Sequence, residues 1–183
     1  GAERIARLAA STGVTTMVHV SALGADASSP SAYAVSKAAG EDGVLKHMPD
    51  AMILRPSVIF GPDDGVFNKF AGMSRMGPIL PLVGAETKFQ PVYVEDVAAA
   101  AVQGVLGEAH GLYELGGPNV VTLRELVQET MDVIHRRRLL LNLPFWVASI
   151  MGATFDLGSK ILLGMFENKI ITREQGRFLR SDN

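Results

Sequence analysis

The first 54 residues alternate between helix and strand patterns, and this alternation limits the possible folds more than any other feature of the sequence. Residues 2–12 and 32–47 have the composition and apolar spacing of helices. Residues 15–20 and 51–54 are short β-branched or apolar runs, which predict strands that are buried on both faces. Helices and strands that alternate with short connections are typical of a doubly wound parallel sheet. The predicted fold class is therefore α/β.

Composition and charge exclude several classes of protein. The 183 residues carry a formal net charge of −2, so no general attraction to the phosphates of nucleic acids is expected. No cysteine is present, which excludes disulfides, zinc–thiolate sites and thiol nucleophiles. Four histidines lie far apart in the sequence, without the spacing of metal ligands. We therefore expect neither a nucleic-acid partner nor a metal site.

Three polar residues near the first predicted strand are candidates for acid–base chemistry. Tyr33 and Lys37 are four residues apart in a predicted helix, so their side chains lie on one face. Ser21 follows the strand directly, at the edge of the sheet where open α/β proteins bind ligands. If the Lys37 ammonium approaches the phenol, it lowers the pKa of Tyr33 and makes that residue a competent acid or base. Such a site suits proton transfer coupled to hydride transfer from a cofactor.

Five motifs in order resemble the short-chain dehydrogenase/reductase superfamily, in its extended or atypical branch. They fall within about residues 1–130, and their order along the chain makes coincidence negligible. The motifs are His19-Val20-Ser21, Tyr33-x-x-x-Lys37 with Glu41 following, Arg55-Pro56-x-x-x-Phe60-Gly61-Pro62, VYVEDVA at 92–98, and YELGGP at 113–118 leading to Thr122-x-x-Glu125-Leu126.

This resemblance implies roles for the matching residues. Tyr33 would be the acid/base, Lys37 would also hold the nicotinamide ribose, and Ser21 would polarise the substrate. The alternative is that Tyr33 is a half-buried helix residue, Lys37 a solvated one and Ser21 a loop cap. The resemblance further implies cofactor contacts from the backbone of Pro56, Ser57 and Val58, and candidate substrate contacts from Phe60, Arg75 and Gln90.

Residues 67–78 and 88–97 resemble a narrower group, the nucleotide-binding accessory subunit of respiratory complex I and its bacterial relatives. This resemblance implies NADP or NAD binding and a structural or assembly role linked to complex I or to quinone metabolism. Two alternatives remain open: an active NAD(P)-dependent oxidoreductase or epimerase with a Ser-Tyr-Lys site, and a peripheral membrane or quinone-binding module. The expected location is cytoplasmic, or peripheral on the inner membrane and facing the matrix in a eukaryote.

The resemblance implies that the first part of the dinucleotide-binding domain is not included in this sequence. No glycine-rich fingerprint occurs between a strand and a helix, so the pyrophosphate-binding part is not expected in this chain. We predict a fragment with the C-terminal half of a Rossmann-like domain in residues 1–110 and a mainly helical substrate or lid region in 111–183. Alone, this chain is expected to expose a sheet edge and to bind no dinucleotide detectably.

Residues 139–155 contain no charged side chain. A membrane-spanning helix needs about 20 apolar residues, and Pro144 interrupts this run near its start. The interpretations are a helix packed on the core of a substrate domain, or an interfacial helix or lid with Phe145 and Trp146 at its apolar edge. The preceding Arg136, Arg137 and Arg138 either satisfy a helix dipole or meet phosphate or anionic lipid.

Overall fold

Five helices and nine short strands are present in residues 1–144, which are the residues that the computed structural model describes. None of these helices is long and apolar enough to cross a bilayer. The predictions for Phe145, Trp146 and the rest of 145–183 lie outside the described residues. In chain order the elements are α1 (Ala2–Ser11), β1 (Val18–Val20), α2 (Ala32–Leu45), β2 (Met52–Pro56), β3 (Ile59–Phe60), α3 (Phe67–Met73), β4 (Ile79–Val83), β5 (Lys88–Phe89), β6 (Val92–Tyr93), α4 (Val94–Val105), β7 (Gly111–Leu115), β8 (Val121–Thr122), α5 (Leu123–Val133) and β9 (Leu139–Leu143).

The described residues form two compact units. The first consists of residues 1–64 and 90–120, and the second of residues 65–89 and 121–144. The predicted division at residue 110 stays a prediction, because much of its second region lies beyond residue 144.

A parallel sheet with the strand order β1-β2-β7 is the centre of the first unit. The central strand β2 is buried, as the apolar run at 51–54 predicts. Strand β1 is shorter than the predicted 15–20, and 46% of Val20 is exposed. Among the described residues β1 pairs on one side only, so its side chains have fewer neighbours than those of the central strand β2. The parallel α/β architecture is confirmed, whereas the expected burial of β1 is wrong, since none of its three residues is buried.

Helices pack on both faces of this sheet. Ala6 of α1 and Val44 of α2 share a buried core with Ile53 of β2. On α4, a Cβ added to Gly104 would lie only 2.5 Å from the Met52 sulfur, so this helix packs closely on the neighbouring position of β2. Because successive side chains of a strand point to opposite faces, α2 and α4 lie on opposite sides of the sheet.

The second unit contains two small sheets. Strands β4 and β9 pair in parallel, and β5 and β8 pair antiparallel. The Thr122-x-x-Glu125 spacing predicts a capping box that opens a helix running toward Arg138. Helix α5 opens with this capping box, in which Thr122 and Glu125 satisfy each other's backbone N–H groups. It ends at Val133 rather than near 138, because His135 has a left-handed backbone with φ 53°.

The helix expected from residue 139 onward is wrong for residues 139–143, which form strand β9. The strand that pairs with β9 is β4, which lies about 60 residues earlier in the chain, so a local apolar pattern cannot reveal the pairing. The arginines before β9 satisfy the C-terminus of α3 rather than that of α5. Arg138 Nε donates to the Ser74 carbonyl at 2.7 Å, and Arg136 donates to the same oxygen at 3.4 Å.

Candidate functional site

Two serines extend the strands at the carboxyl edge of the β1-β2-β7 sheet. The Ser21 N–H donates to the Leu54 carbonyl at 2.7 Å, and the Ser57 N–H donates to the Leu115 carbonyl at 2.9 Å. These bonds continue the parallel ladder beyond the ends of β1 and β2, so the backbone fixes both residues. This is the edge at which open α/β sheets bind ligands.

Both serine hydroxyls are buried without a hydrogen-bond partner among the described residues. Ser21 is 4% exposed and Ser57 is 9% exposed. The Ser21 hydroxyl approaches the Glu41 carboxylate and helps to lower the pKa of that group, but it does not reach hydrogen-bonding geometry. A buried hydroxyl without a partner costs about 1–3 kcal/mol. A ligand that hydrogen-bonds these two groups would recover that free energy.

Tyr33 and Lys37 are placed together by the first turns of α2. Ser31 caps the helix by accepting from the Ala34 N–H, and the two side chains follow at i and i+4. The Lys37 ammonium lies over the Tyr33 ring, 5.6 Å from its centroid. The two candidates are therefore neighbours, as their spacing predicts.

The expected lowering of the Tyr33 pKa is wrong. Partial burial raises the pKa of Tyr33 above its ordinary value near 10, because it disfavours the charged phenolate. The Lys37 ammonium faces the ring of Tyr33, a position in which its charge does not offset this effect. At neutral pH the phenol is protonated, so it can act as a hydrogen-bond donor or an acid.

A buried ion pair between Glu41 and Arg55 is a feature that the sequence analysis missed. The Arg55 guanidinium donates from Nε and Nη2 to the two oxygens of Glu41, at 2.9 and 2.7 Å. The Glu41 side chain is 6% exposed and that of Arg55 is 20% exposed. Glu114 adds a weaker contact, with its Oε1 3.7 Å from Arg55 Nη1. This pair joins helix α2 to strand β2 close to the candidate site.

The charges of Glu41 and Arg55 stabilise each other. Burial alone raises the pKa of Glu41, but the hydrogen bonds and charge of Arg55, together with smaller contributions from Ser21 and His19, outweigh burial and hold the pKa below its ordinary value. The same contacts raise the pKa of Arg55. Helical spacing places Glu41 on one stripe of α2 with Tyr33 and Lys37, which are four residues apart, but it does not reveal that Arg55 of β2 is the partner of Glu41.

The His19 side chain lies on the face of the sheet that α2 covers, where Gly40 of α2 leaves room for its ring. A Cβ added to Gly40 would be 3.4 Å from His19 Nε2, and this nitrogen is buried without a described partner. Burial lowers the pKa of His19, and the charge of Lys37 lowers it further against the opposing effect of Glu41. The imidazole is therefore neutral near pH 7.

The loop after β2 carries the remaining candidates of the first unit. The Pro56 carbonyl accepts from the Leu23 N–H at 3.0 Å, and the Val58 carbonyl accepts from the Val92 N–H at 2.9 Å. Phe60 stacks at a tilt on Tyr93, with the ring centroids 5.5 Å apart, and 37% of it is exposed.

Gln90 and Arg75 differ from these residues in their surroundings. The Gln90 side-chain amide donates to the Gly117 carbonyl at 2.6 Å, so it secures the turn after β7. Arg75 belongs to the second unit, where it is an exposed residue in the turn after α3. Substrate contact by either residue stays a prediction. No cluster of three potential metal ligands occurs in residues 1–144.

No protein-family model matches the chain. Proteins with similar sequences include subunits of a respiratory enzyme. NADH dehydrogenase (ubiquinone) 1 alpha subcomplex subunit 9, mitochondrial, of Arabidopsis thaliana is 38% identical over 175 residues, covering 93% of this chain and 44% of the relative. The Mus musculus protein of the same name is 39% identical over 157 residues, covering 84% and 41%. The chain is homologous to these complex I subunits. It spans less than half the length of both.

One protein that matches this chain is named as an enzyme. Ceramide reductase of Caulobacter vibrioides is 32% identical over 163 residues, covering 88% of this chain and 51% of the relative. The sequence similarity therefore extends from subunits of a respiratory complex to a protein that is named as a reductase.

Solved structures of reductases and epimerases share the fold of this chain. The dTDP-4-dehydrorhamnose reductase of Clostridium acetobutylicum superimposes with a TM-score of 0.68 at 17% identity, covering 78% of this chain and 55% of that one. The Bacillus anthracis reductase in complex with NADP gives 0.66 at 18%, covering 78% and 55%. UDP-glucose 4-epimerase of Thermus thermophilus in complex with NAD gives 0.65 at 21%, covering 78% and 56%. The predicted Rossmann-like fold of the short-chain reductases and epimerases is confirmed.

Proposed function

We propose that the protein is a nucleotide-binding accessory component of respiratory complex I, built on the fold of the short-chain reductases. Homology to the subunit 9 proteins supports the association with complex I. The NADP and NAD complexes of proteins with the same fold support a dinucleotide ligand. Within this chain, the observation that carries the proposal is the pair of buried, unpartnered hydroxyls of Ser21 and Ser57 at the ligand-binding edge of the sheet.

The residues at this edge fit the nicotinamide half of a dinucleotide. The Lys37 ammonium can donate to ribose hydroxyls, the backbone of Pro56, Ser57 and Val58 can lie against the nicotinamide, and the Ser21 hydroxyl can hydrogen-bond an oxygen of the ligand. When bound, a reduced dinucleotide supplies a hydride. The raised pKa keeps the Tyr33 phenol protonated, and this suits a residue that donates a hydrogen bond to a bound nucleotide.

A second candidate function is an active oxidoreductase that uses the same residues. The observation that favours it is the complete Ser21, Tyr33 and Lys37 set together with a relative named as a reductase. Peripheral attachment to the membrane or quinone binding would involve residues 139–155, most of which lie outside the described residues, and it stays a prediction. The mitochondrial names of the subunit 9 relatives support a location beside the inner membrane.

The two candidate functions separate by substitution in the intact protein. Under the accessory role, Tyr33→Phe leaves complex I assembly and NADH:ubiquinone activity unchanged, whereas Lys37→Met weakens NADPH or NADH binding in a calorimetric titration. Lys46→Met is the matched control, since it removes an exposed lysine from the end of the same helix. Loss of function in Tyr33→Phe with normal assembly would favour the active enzyme, and absence of dinucleotide binding to the intact wild type would refute both.

A further inference from the structure

The Glu41–Arg55 ion pair connects the two elements that hold the candidate ligand groups. Glu41 lies on α2, one helical turn after Lys37 and two turns after Tyr33. Arg55 lies on β2, two residues before Ser57. A short path of covalent backbone therefore runs from each member of the pair to the groups at the carboxyl edge.

The geometry of the pair restricts how the two elements can move. A bidentate contact between a guanidinium and a carboxylate fixes the relative orientation of the two groups as well as their distance. The Glu41 carboxylate also approaches the Ser21 hydroxyl, so the end of β1 meets α2 and β2 at this point. Three parts of the candidate site thus converge on one buried carboxylate.

Stability alone is a weak explanation for a pair of this kind. Removing two charges from water is costly, and a buried ion pair often contributes no more to stability than apolar side chains of similar volume. The pair of Lys46 and Glu3, five residues further along at the C-cap of α2, has both side chains more than half exposed and therefore contributes little to stability. A buried pair beside the carboxyl edge instead contributes a fixed geometry there.

We propose that Glu41 and Arg55 are positioning residues, whose ion pair holds Lys37 and the backbone of residues 56–58 in register around the nicotinamide half of the dinucleotide. This inference rests on the proposed dinucleotide binding. It assigns no ligand contact to either side chain. The pair acts through Lys37 and the loop after β2, so its loss affects the nicotinamide half of the ligand selectively.

The test compares two ligands in the intact protein. The reduced dinucleotide that the wild type binds, NADPH or NADH, is titrated calorimetrically beside the matching ADP-ribose fragment, which has no nicotinamide. In Glu41→Gln and in Arg55→Lys, the Kd for the dinucleotide rises about tenfold, which corresponds to ~1.4 kcal/mol, while the Kd for the fragment stays at the wild-type value. Lys46→Gln, at the exposed pair, leaves both values unchanged.

Each other outcome overturns one specific statement. If a variant binds both ligands more weakly by the same factor, the pair is purely structural and the positioning role is refuted. The same holds if the melting temperature falls while the ratio of the two Kd values stays at the wild-type value. Unchanged binding of both ligands refutes it as well. Absence of binding to the wild type refutes the proposed function instead. If Glu41→Gln does not fold, Arg55→Lys decides, because it retains the positive charge and removes only the fork.

Discussion

Two ion pairs of α2, five residues apart at Glu41 and Lys46, have similar distances and opposite surroundings. Near the carboxyl edge of the sheet, Arg55 Nη2 lies 2.7 Å from a Glu41 side chain that is only 6% exposed. At the C-cap of α2, Lys46 Nζ lies 3.1 Å from Glu3, and both side chains are more than half exposed. Solvent and salt screen the second pair much more than the first. Distance alone therefore does not reveal which pair constrains the helix.

The pKa values show the same contrast. The hydrogen bond and charge of Lys46 lower the pKa of Glu3, with a further contribution from His47, against a smaller opposing effect of burial. For Glu41, burial is the largest single influence and acts in the opposite direction, yet Arg55, with Ser21 and His19, still brings the pKa below its ordinary value. Both carboxylates therefore have lowered pKa values, but the opposing effect of burial is the largest single influence only for Glu41.

Removing Glu41 tests this contrast most strongly. In Glu41→Ala, Arg55 stays partly buried with only the distant Glu114 contact, so the free energy of unfolding falls by about 3 kcal/mol. Chemical denaturation of the purified protein measures this change. Lys46→Ala is the control and leaves the denaturation midpoint within error. Equal losses for the two variants would contradict the distinction between the buried and the exposed pair.

A glycine between Glu41 and Lys46 tests how closely α2 and α1 pack. A Cβ added to Gly43 would lie 2.6 Å from the Glu3 Cβ and 3.3 Å from its Cα, so α1 must shift in Gly43→Ala. Overpacking costs about 1–3 kcal/mol, against a gain in helix propensity of about 1 kcal/mol. We expect a net destabilisation in thermal melting. Gly72→Ala on α3 is the control, because the added Cβ meets open space, and its stability is expected to equal or exceed that of the wild type. If Gly43→Ala were instead more stable than the wild type, α1 and α2 would be less closely packed than the structure indicates.

Acid titration separates the buried pair by its pH dependence. The pKa of Glu41 is lowered on folding, so its contribution to stability is fully present above the ordinary pKa near 4.5 and disappears as the pH falls through the folded value. The difference in urea midpoint between wild type and Glu41→Gln is therefore constant from pH 7 to about pH 5 and shrinks below that. A difference that grows on acidification would mean that Glu41 is not charged in the folded protein.

The sequence was sufficient for the local features of the fold and insufficient for distant pairings. The apolar run at 51–54 predicts β2, and the Thr122–Glu125 spacing predicts the capping box of α5, because both depend on neighbouring residues. Strand β9 could not be predicted, since its partner β4 is remote in the chain. The exposure of Val20 depends on what packs around β1, and the sequence of β1 does not contain that information.

In the candidate site, spacing predicted proximity but not electrostatics. The i and i+4 positions correctly bring Lys37 to Tyr33, yet they do not determine whether the ammonium faces the hydroxyl or the ring. The direction of the Tyr33 pKa shift depends on burial, which spacing does not give. The Glu41–Arg55 pair requires a helix position and a strand position to be matched, and this needs the packing of α2 on β2.

Neutralising the exposed pair has the smallest expected effect and sets the lower limit of the comparison. Lys46→Gln leaves Glu3 in water, where its charge is solvated and His47 Nε2 remains 3.5 Å away, so no measurable change in denaturation midpoint is expected at moderate salt. Raising the salt concentration to about 1 M shortens the screening length to about 3 Å and removes any small difference that low salt reveals. The same salt titration of Glu41→Gln leaves most of its deficit in place, because the Glu41 side chain is only 6% exposed and a buried pair is screened much less. A deficit that disappears in high salt would place the Glu41–Arg55 pair in the same class as the exposed one.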